Sequence, residues 1–158
     1  MLRDPLVQTN PAILLAEDDP DQSEMLKDIL EVEGFQVDTA FSGDMALKKM
    51  REHTYALAIL DVRMPGLNGA EVLRRYRQTE TGPRTPMVIV SAFATDAQML
   101  QYKKDGADRG FSKPYDVEYL IAGIRELLSS HNVHANGAAA KPPPSGPVKG
   151  EGEQSWKA

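Results

Sequence analysis

The sequence predicts an α/β protein in which a parallel β-sheet is covered by helices on both faces. Between residues 11 and 130, short continuous apolar runs alternate with segments of helical periodicity, which is typical of strands joined by crossover helices. The chain has 158 residues, 41% of them hydrophobic and 26% charged, which is typical of one soluble globular domain. Separate cofactor and substrate domains are therefore not expected.

Five segments are predicted to be strands. The apolar runs at 12–16, 56–60 and 87–90 are continuous, which indicates strands buried on both faces. Phe35, Val37 and Thr39 alternate with polar residues, as in a strand near the edge of a sheet. Residues 110–112 form a short last strand.

The helices are predicted from apolar residues at three-to-four spacing. Segment 97–104 is a weaker helix with only Met99 and Leu100 as an apolar pair. Gly34 and Gly106 are predicted helix stops, and Ser42 is a predicted N-cap. The inward faces are Met25, Leu26, Ile29 and Leu30; Ala46, Leu47 and Met50; Val72, Leu73 and Tyr76; and Val117, Leu120, Ile121, Ile124 and Leu128.

Composition divides the chain into a domain at 11–130, an N-terminal extension at 1–10 and a tail at 131–158. The tail is rich in Ala, Gly and Pro, includes three consecutive prolines at 142–144, and is predicted to be disordered. Its one aromatic residue, Trp156, is either a docking anchor or a residue without a structural role. The N-terminus lacks the apolar segment of a secretory signal, and no run could cross a bilayer, so we expect a cytoplasmic protein.

Charge and cysteine content exclude several classes of function. The net charge of -5 disfavours non-specific attraction to nucleic acid or anionic lipid. The absence of cysteine excludes disulfides, thiol nucleophiles and Cys-ligated zinc. Arg74, Arg75 and Arg77 form a basic run on a predicted helix, which is more often a solvated face than a contact for an acidic partner.

Polar residues follow the predicted strands at the edge where parallel sheets place their functional groups. The first strand ends in Glu17, Asp18 and Asp19, and the third ends in Asp61; Ser91 and Lys113 follow the fourth and fifth. Clustered carboxylates repel one another unless a cation neutralises them, and hard oxygen ligands favour Mg²⁺. Mg²⁺ usually retains sites for water and phosphate oxygens, so the pattern indicates phosphoryl chemistry.

Asp61 is followed by a tight turn that contains Pro65, Gly66 and Gly69. This turn presents Asp61 at a strand tip. The alternative role for Asp61 is to cap the next helix, but Asn68 is better placed for that cap.

These motifs resemble the receiver domain of two-component response regulators, including stand-alone regulators of the chemotaxis type. The resemblance covers about residues 11–130 and includes the acidic group at 17–19, the turn from Asp61 to Gly69, Ser91-Ala92, 106–108 and Lys113-Pro114. It implies a flavodoxin-like sheet of five parallel strands in the order 2-1-3-4-5 with five helices.

The resemblance also implies a role for each strand-end residue. Asp61 would accept a phosphoryl group from a histidine kinase or a phosphotransfer protein. Asp18, Glu17, Asp61 and the backbone carbonyl of Arg63 would bind Mg²⁺. Ser91 would hydrogen-bond a phosphoryl oxygen, Lys113 would form an ion pair with the phosphoryl group, and the Lys113–Pro114 bond would be cis.

The chain departs from the family pattern at Gly110, where the family usually has Tyr or Phe three residues before the lysine. Phe111, one position later, is expected on the opposite face of the strand. The site that accepts the phosphoryl group is predicted to be intact. In the family, an aromatic rotamer at this position follows movement of the hydroxyl residue, and Gly110 has no ring that could do so. Arg63 and Phe93 are expected near the phosphate, where they either influence water access or only pack.

The sequence thus predicts a signalling switch that catalyses only its own phosphorylation and dephosphorylation. Its output is expected through a downstream protein target, with a phosphorylation-dependent dimer as one possibility, and with neither direct nucleic-acid binding nor a membrane span. Two alternatives remain open: a receiver-like binding module that is not phosphorylated, and an Asp-nucleophile phosphatase. The phosphatase would want a second carboxylate beside Asp61, where Val62 and Arg63 stand instead.

Overall fold

The computed structural model describes the backbone of residues 11–135 and the side chains of residues 11–130. The predictions for the N-terminal extension, for residues 136–158 of the tail and for Trp156 lie outside the described residues. The last helix continues to Ala135, so it extends beyond residue 130, where the composition changes.

Five parallel strands form one sheet in the order β2-β1-β3-β4-β5, with a helix after each strand, as predicted. Each strand therefore ends at the same edge of the sheet, and the ends of β1 and β3 are neighbours. The strands are β1 (Ala12–Ala16), β2 (Gln36–Ala40), β3 (Leu57–Asp61), β4 (Met87–Ser91) and β5 (Arg109–Ser112), and the helices are α1 (Pro20–Val32), α2 (Gly43–Glu52), α3 (Gly69–Thr79), α4 (Asp96–Asp105) and α5 (Val117–Ala135).

The sheet separates two hydrophobic cores, because successive strand residues point to opposite faces. On one face, Leu14, Leu60 and Ile89 pack with residues of α2, α3 and α4. On the other, Ile13 and Ile59 pack with residues of α1 and α5. All residues of β3 and β4 are buried, which explains their continuous apolar sequences, whereas β2 is a partly exposed edge strand.

Local sequence determines where several helices begin and end. Ser42 accepts a hydrogen bond from the Met45 N–H, and so caps α2 as predicted. Gly106 ends α4 with φ of 116°, a left-handed conformation that favours glycine. The predicted cis peptide bond between Lys113 and Pro114 is present.

Two predictions about buried faces were wrong. Met25 is 57% exposed, and Ser23 faces inward from α1 in its place. Leu100 is 46% exposed, and Tyr102 is the residue of α4 that packs beside Met99. In both helices the sequence window contained adjacent apolar residues, and periodicity alone did not determine which of them faces the sheet.

The predicted solvated face of α3 is also wrong for Arg77. Its guanidinium donates to the Gly106 carbonyl and forms ion pairs with Glu80 and Asp108. The side chain is only 12% exposed. This run of three arginines therefore contains one structural residue, and two of its three partners, Gly106 and Asp108, are distant in sequence.

Candidate functional site

The predicted site residues meet at the edge formed by the carboxyl ends of the strands. Asp61 is the last residue of β3, as predicted, and it lies opposite Val90 in β4. Ser91 is likewise the last residue of β4, and its carbonyl accepts a hydrogen bond of 2.8 Å from the Lys113 N–H. The order of strands thus brings together side chains that are far apart in sequence.

An acidic cluster consists of Glu17, Asp18 and Asp61. One carboxylate oxygen from each residue lies within 4.8 Å of the others. Glu17 and Asp61 are buried, with 7% and 6% exposure, whereas Asp18 is exposed. The cluster is therefore open to solvent on the Asp18 side and closed by the sheet beneath.

Asp19 has a different role from the two acidic residues before it. Its carboxylate accepts hydrogen bonds from the N–H groups of Asp21 and Gln22, and so caps α1. These bonds, that from Gln22 above all, lower the pKa of Asp19. The acidic run thus divides into two residues of the cluster and one helix cap.

The ammonium group of Lys113 lies against the acidic cluster. Its Nζ is 2.7 Å from Asp61 Oδ2, 2.8 Å from Glu17 Oε2 and 2.9 Å from Gln22 Oε1. One cation thus stands against three carboxylates. The site retains an excess of negative charge that Lys113 alone does not neutralise.

Burial and this excess of negative charge together shift the pKa values of the site. Burial raises the pKa of Glu17 to about 7, and hydrogen bonding and repulsion from Asp61 add to the rise, while Lys113 opposes it. Burial would lower the pKa of Lys113, but its bonds to Asp61 and Glu17 outweigh burial and raise it. Lys113 is therefore a permanent cation, and Glu17 gains or loses a proton near neutral pH.

The loop after β3 is packed tightly against the site. The Arg63 N–H donates to Asp61 Oδ1 at 3.1 Å. Asn68 caps α3 by accepting from the Glu71 N–H, as predicted. A Cβ on Gly69 would lie 2.2 Å from the Asp61 carbonyl oxygen, so only glycine fits where α3 begins.

The surroundings of the cluster include one contact that the sequence did not predict. The Arg63 guanidinium lies over the Phe93 ring, 5.0 Å from its centroid, and Phe93 is 75% exposed. This cation–π pair joins the loop after β3 to the loop after β4.

Sequence analysis missed Gln22, the third partner of Lys113. A pattern in the sequence could have identified it, because Asp19-Pro20-Asp21-Gln22 has the spacing of a capping box, in which the fourth residue turns back toward the cap. Its Nε2 donates to Asp19 Oδ2 at 3.1 Å.

Comparison with known proteins places this arrangement in a family. Residues 13–125 match the family model of the response regulator receiver domain. This match spans most of the chain. The chain belongs to the response regulator receiver family.

Sequence relatives agree with that assignment. The response regulator ArlR of Staphylococcus saprophyticus is 35% identical over 116 residues, which cover 73% of this chain and 51% of the relative. The transcriptional regulatory protein CpxR homolog of Haemophilus influenzae is 39% identical over 116 residues, 73% of this chain and 49% of the relative. The chain spans about half the length of these curated relatives.

Solved receiver domains have the same fold. The receiver domain of the Francisella response regulator 1452 superposes with a TM-score of 0.73 and 29% identity, over 77% of this chain and 98% of its own. A CheY-like receiver domain protein from Methanospirillum hungatei gives a TM-score of 0.75 and 26% identity, over 80% and 99%. Membership of the family supports a phosphorylation-based signalling switch.

This receiver domain has glycine where an aromatic residue was expected. Gly110 is buried in β5, and Phe111 packs on the opposite face of the sheet with Leu120 and Ile124. The Phe111 ring also makes an edge contact with Tyr119, with 5.5 Å between centroids. The prediction that Phe111 lies on the opposite face of the strand from residue 110 is therefore confirmed.

Within the described part of the chain, no helix combines the length and apolar character that a membrane span requires.

Proposed function

We propose that this receiver domain accepts a phosphoryl group on Asp61 from a phosphohistidine of a histidine kinase or phosphotransfer protein. The observation that carries the proposal is the contact of 2.7 Å between Asp61 Oδ2 and Lys113 Nζ inside an acidic cluster. A carboxylate that is buried beside the Lys113 ammonium group, at the edge of the sheet, is oriented for attack.

The transfer step requires little covalent machinery. An Asp61 carboxylate oxygen attacks phosphorus and forms a new P–O bond, while the P–N bond of the phosphohistidine breaks and its electron pair remains on the imidazole nitrogen. Hydrolysis of the acyl phosphate by water then returns Asp61 and releases inorganic phosphate. Both steps depend on positioning and on stabilisation of charge on the phosphoryl oxygens.

Lys113 and Ser91 would supply that stabilisation. Lys113 is positively charged and already contacts the attacking carboxylate. Ser91 is 5% exposed at the end of β4, the strand next to β3, and would hydrogen-bond a phosphoryl oxygen. Neither residue needs to exchange a proton for the transfer to occur.

The acidic cluster fits Mg²⁺ by its chemistry, because its oxygen donors are hard ligands and its negative charge exceeds that of Lys113. Glu17, Asp18 and Asp61 would hold the ion together with the Arg63 carbonyl. Mg²⁺ bound there would neutralise charge on the cluster and on the phosphoryl oxygens.

Labelling with a small phosphodonor tests the proposal. Incubation with acetyl phosphate and Mg²⁺ is expected to add one phosphoryl group, measured by intact mass, and hydroxylamine is expected to remove it because an acyl phosphate is labile to that nucleophile. Asp61→Asn is expected to remain unlabelled. Asp28→Asn, which changes an exposed acid of α1, is the matched control and is expected to label like the wild type.

Each alternative predicts a different result. A wild-type protein that stays unlabelled under conditions that label another receiver domain would support the unphosphorylated binding module. Equal labelling of Asp61→Asn would place the phosphoryl group elsewhere. Continuous turnover of general phosphate esters would support a phosphatase.

The partners belong to the same proposal. A phosphotransfer profile against candidate histidine kinases is expected to show one preferred donor. Light scattering with and without a beryllofluoride phosphoryl mimic tests the predicted phosphorylation-dependent dimer. Pull-down with and without the same mimic tests for a downstream protein target.

A further inference from the structure

All three donors of the Lys113 ammonium group are directed at protein acceptors. An ammonium group has three N–H donors and no acceptor. They are matched by Asp61 Oδ2, Glu17 Oε2 and Gln22 Oε1 at 2.7, 2.8 and 2.9 Å. An incoming phosphoryl oxygen must therefore replace one of these acceptors before Lys113 can bind it.

Gln22 differs from the other two acceptors in charge and exposure. Asp61 and Glu17 are buried carboxylates, whereas Gln22 presents a neutral amide oxygen and is exposed. All three bonds have the charged ammonium as donor, but only those to Asp61 and Glu17 join opposite charges and gain the attraction of an ion pair. The bond to Gln22 is thus the one that Lys113 gives up at the lowest cost.

The orientation of the Gln22 amide is determined by its other contact. Its Nε2 donates to Asp19 Oδ2 at 3.1 Å, so Oε1 points toward Lys113. The reversed amide would place an NH₂ group against an ammonium and an oxygen against a carboxylate. Asp19 is itself fixed as the N-cap of α1, so Gln22 is anchored at the rim of the site.

We propose that Gln22 is a positioning residue for phosphoryl transfer. Its Oε1 occupies the third donor of Lys113 while Asp61 is unphosphorylated, and a phosphoryl oxygen takes its place on that donor. Lys113 thus keeps one orientation in both states. This inference rests on the proposed function of Asp61, but its first consequence concerns Lys113 in the unphosphorylated, metal-free domain.

The first test measures the Lys113 ammonium protons by NMR in the metal-free domain. Gln22→Met keeps the length of the side chain and removes the acceptor, so exchange of these protons with water is expected to accelerate by about threefold, the value of one modest hydrogen bond. Gln22→Glu restores an acceptor and is expected to keep exchange as slow as in the wild type.

Gln101→Met is the matched control. Gln101 is an exposed glutamine on α4 that donates to Asp105, as Gln22 donates to Asp19, but it lies away from the site. Its replacement is expected to leave Lys113 exchange unchanged. Unchanged exchange in Gln22→Met as well would overturn the inference, whether or not Asp61 accepts phosphate.

The second test measures the rate of labelling by acetyl phosphate at saturating Mg²⁺. Gln22→Met is expected to label about threefold more slowly, because Lys113 loses its fixed orientation. Gln22→Glu is expected to label about tenfold more slowly, because a carboxylate holds the ammonium by a stronger bond between opposite charges. A residue that only stabilises α1 would not slow labelling in Gln22→Glu while leaving Lys113 exchange at the wild-type rate.

The outcomes separate the inference from the proposed function. A labelled wild type with both Gln22 variants labelling at its rate contradicts the role of Gln22 and leaves Asp61 as the acceptor. An unlabelled wild type contradicts the proposed function, while the exchange measurement still decides whether Gln22 positions Lys113.

Discussion

Two ion networks lie at opposite edges of the sheet, and they differ in charge balance. At the carboxyl ends of the strands, the acidic cluster sets three carboxylates against Lys113. At the other edge, where β4 and β5 begin, Asp108 and Glu80 stand against Arg77 and Arg84. We refer to these four residues as the Asp108 network.

The Asp108 network is balanced and its acceptors are occupied. Asp108 accepts from Arg77, from Arg84 and from the Met87 N–H, and Glu80 accepts from Arg77 and the Thr85 N–H. The acidic cluster, in contrast, has excess charge, and burial together with Asp61 raises the pKa of Glu17. A balanced network has no need of a further ion, whereas an unbalanced one favours a cation that the chain does not provide.

Removing charge from the balanced network is expected to have the largest effect on stability. Asp108→Asn leaves Arg77, which is only 12% exposed, without a carboxylate on that side, and breaking such a buried pair costs about 3 kcal/mol of unfolding free energy. Urea denaturation measures the loss. Mg²⁺ affinity, measured by titration calorimetry, is expected to remain unchanged because the network lies at the opposite edge.

The control for this prediction is again Asp28→Asn, at an exposed residue. Its effect on the free energy of unfolding is expected to stay within about 0.5 kcal/mol. If Asp108→Asn were equally mild, the Asp108 network would not stabilise the fold. If it weakened Mg²⁺ binding, the two edges would not be independent.

The unbalanced cluster is expected to respond to pH. The pKa of Glu17 is raised from 4.5 in the unfolded chain to about 7 in the fold. The folded protein thus binds more protons than the unfolded chain between these values, so the stability of the metal-free domain falls as pH rises from about 4.5 to about 7. We expect a loss of roughly 2 kcal/mol across this window.

Glu17→Gln isolates that contribution, because the amide oxygen can still accept from Lys113 but carries no charge. Denaturation midpoints at pH 5 and pH 7.5 are expected to converge in this variant. Saturating Mg²⁺ is expected to restore the stability of the wild type at pH 7.5, since the ion binds the ionised carboxylates. A wild-type stability that rises over the window would contradict the raised pKa.

The two edges also differ in how well the sequence predicts them. Glu17, Asp61, Ser91 and Lys113 each follow or end a recognisable strand, and parallel strands place their ends together, so the acidic cluster was predictable once the strands were assigned. The structure brings these residues together, while their roles remain proposals.

The Asp108 network was not predictable in this way. Arg77 was expected on a solvated face because its partners Gly106 and Asp108 lie about 30 residues further along the chain. Met25 is exposed where burial was expected for a similar reason, because which side of a helix faces the sheet depends on tertiary packing. Element type follows from local pattern, whereas individual long-range pairs do not.

Asn68 gives the smallest expected effect, and it tests whether proximity to the acidic cluster is enough to make a residue functional. Its side chain accepts from the Glu71 N–H at 2.9 Å and so caps α3, at the end of the loop that begins beside Asp61. Asn68→Ala leaves that donor without a partner and is expected to lower the unfolding free energy by about 1 kcal/mol, whereas Asn68→Ser retains a capping oxygen and costs less.

Because the hydrogen bond from Arg63 to Asp61 does not involve Asn68, both variants are expected to bind Mg²⁺ and to label at the wild-type rate. Denaturation and acetyl phosphate labelling of the same preparations check this, and a labelling rate that falls in Asn68→Ala but not in Asn68→Ser would mean that the cap also orients the loop for phosphoryl transfer.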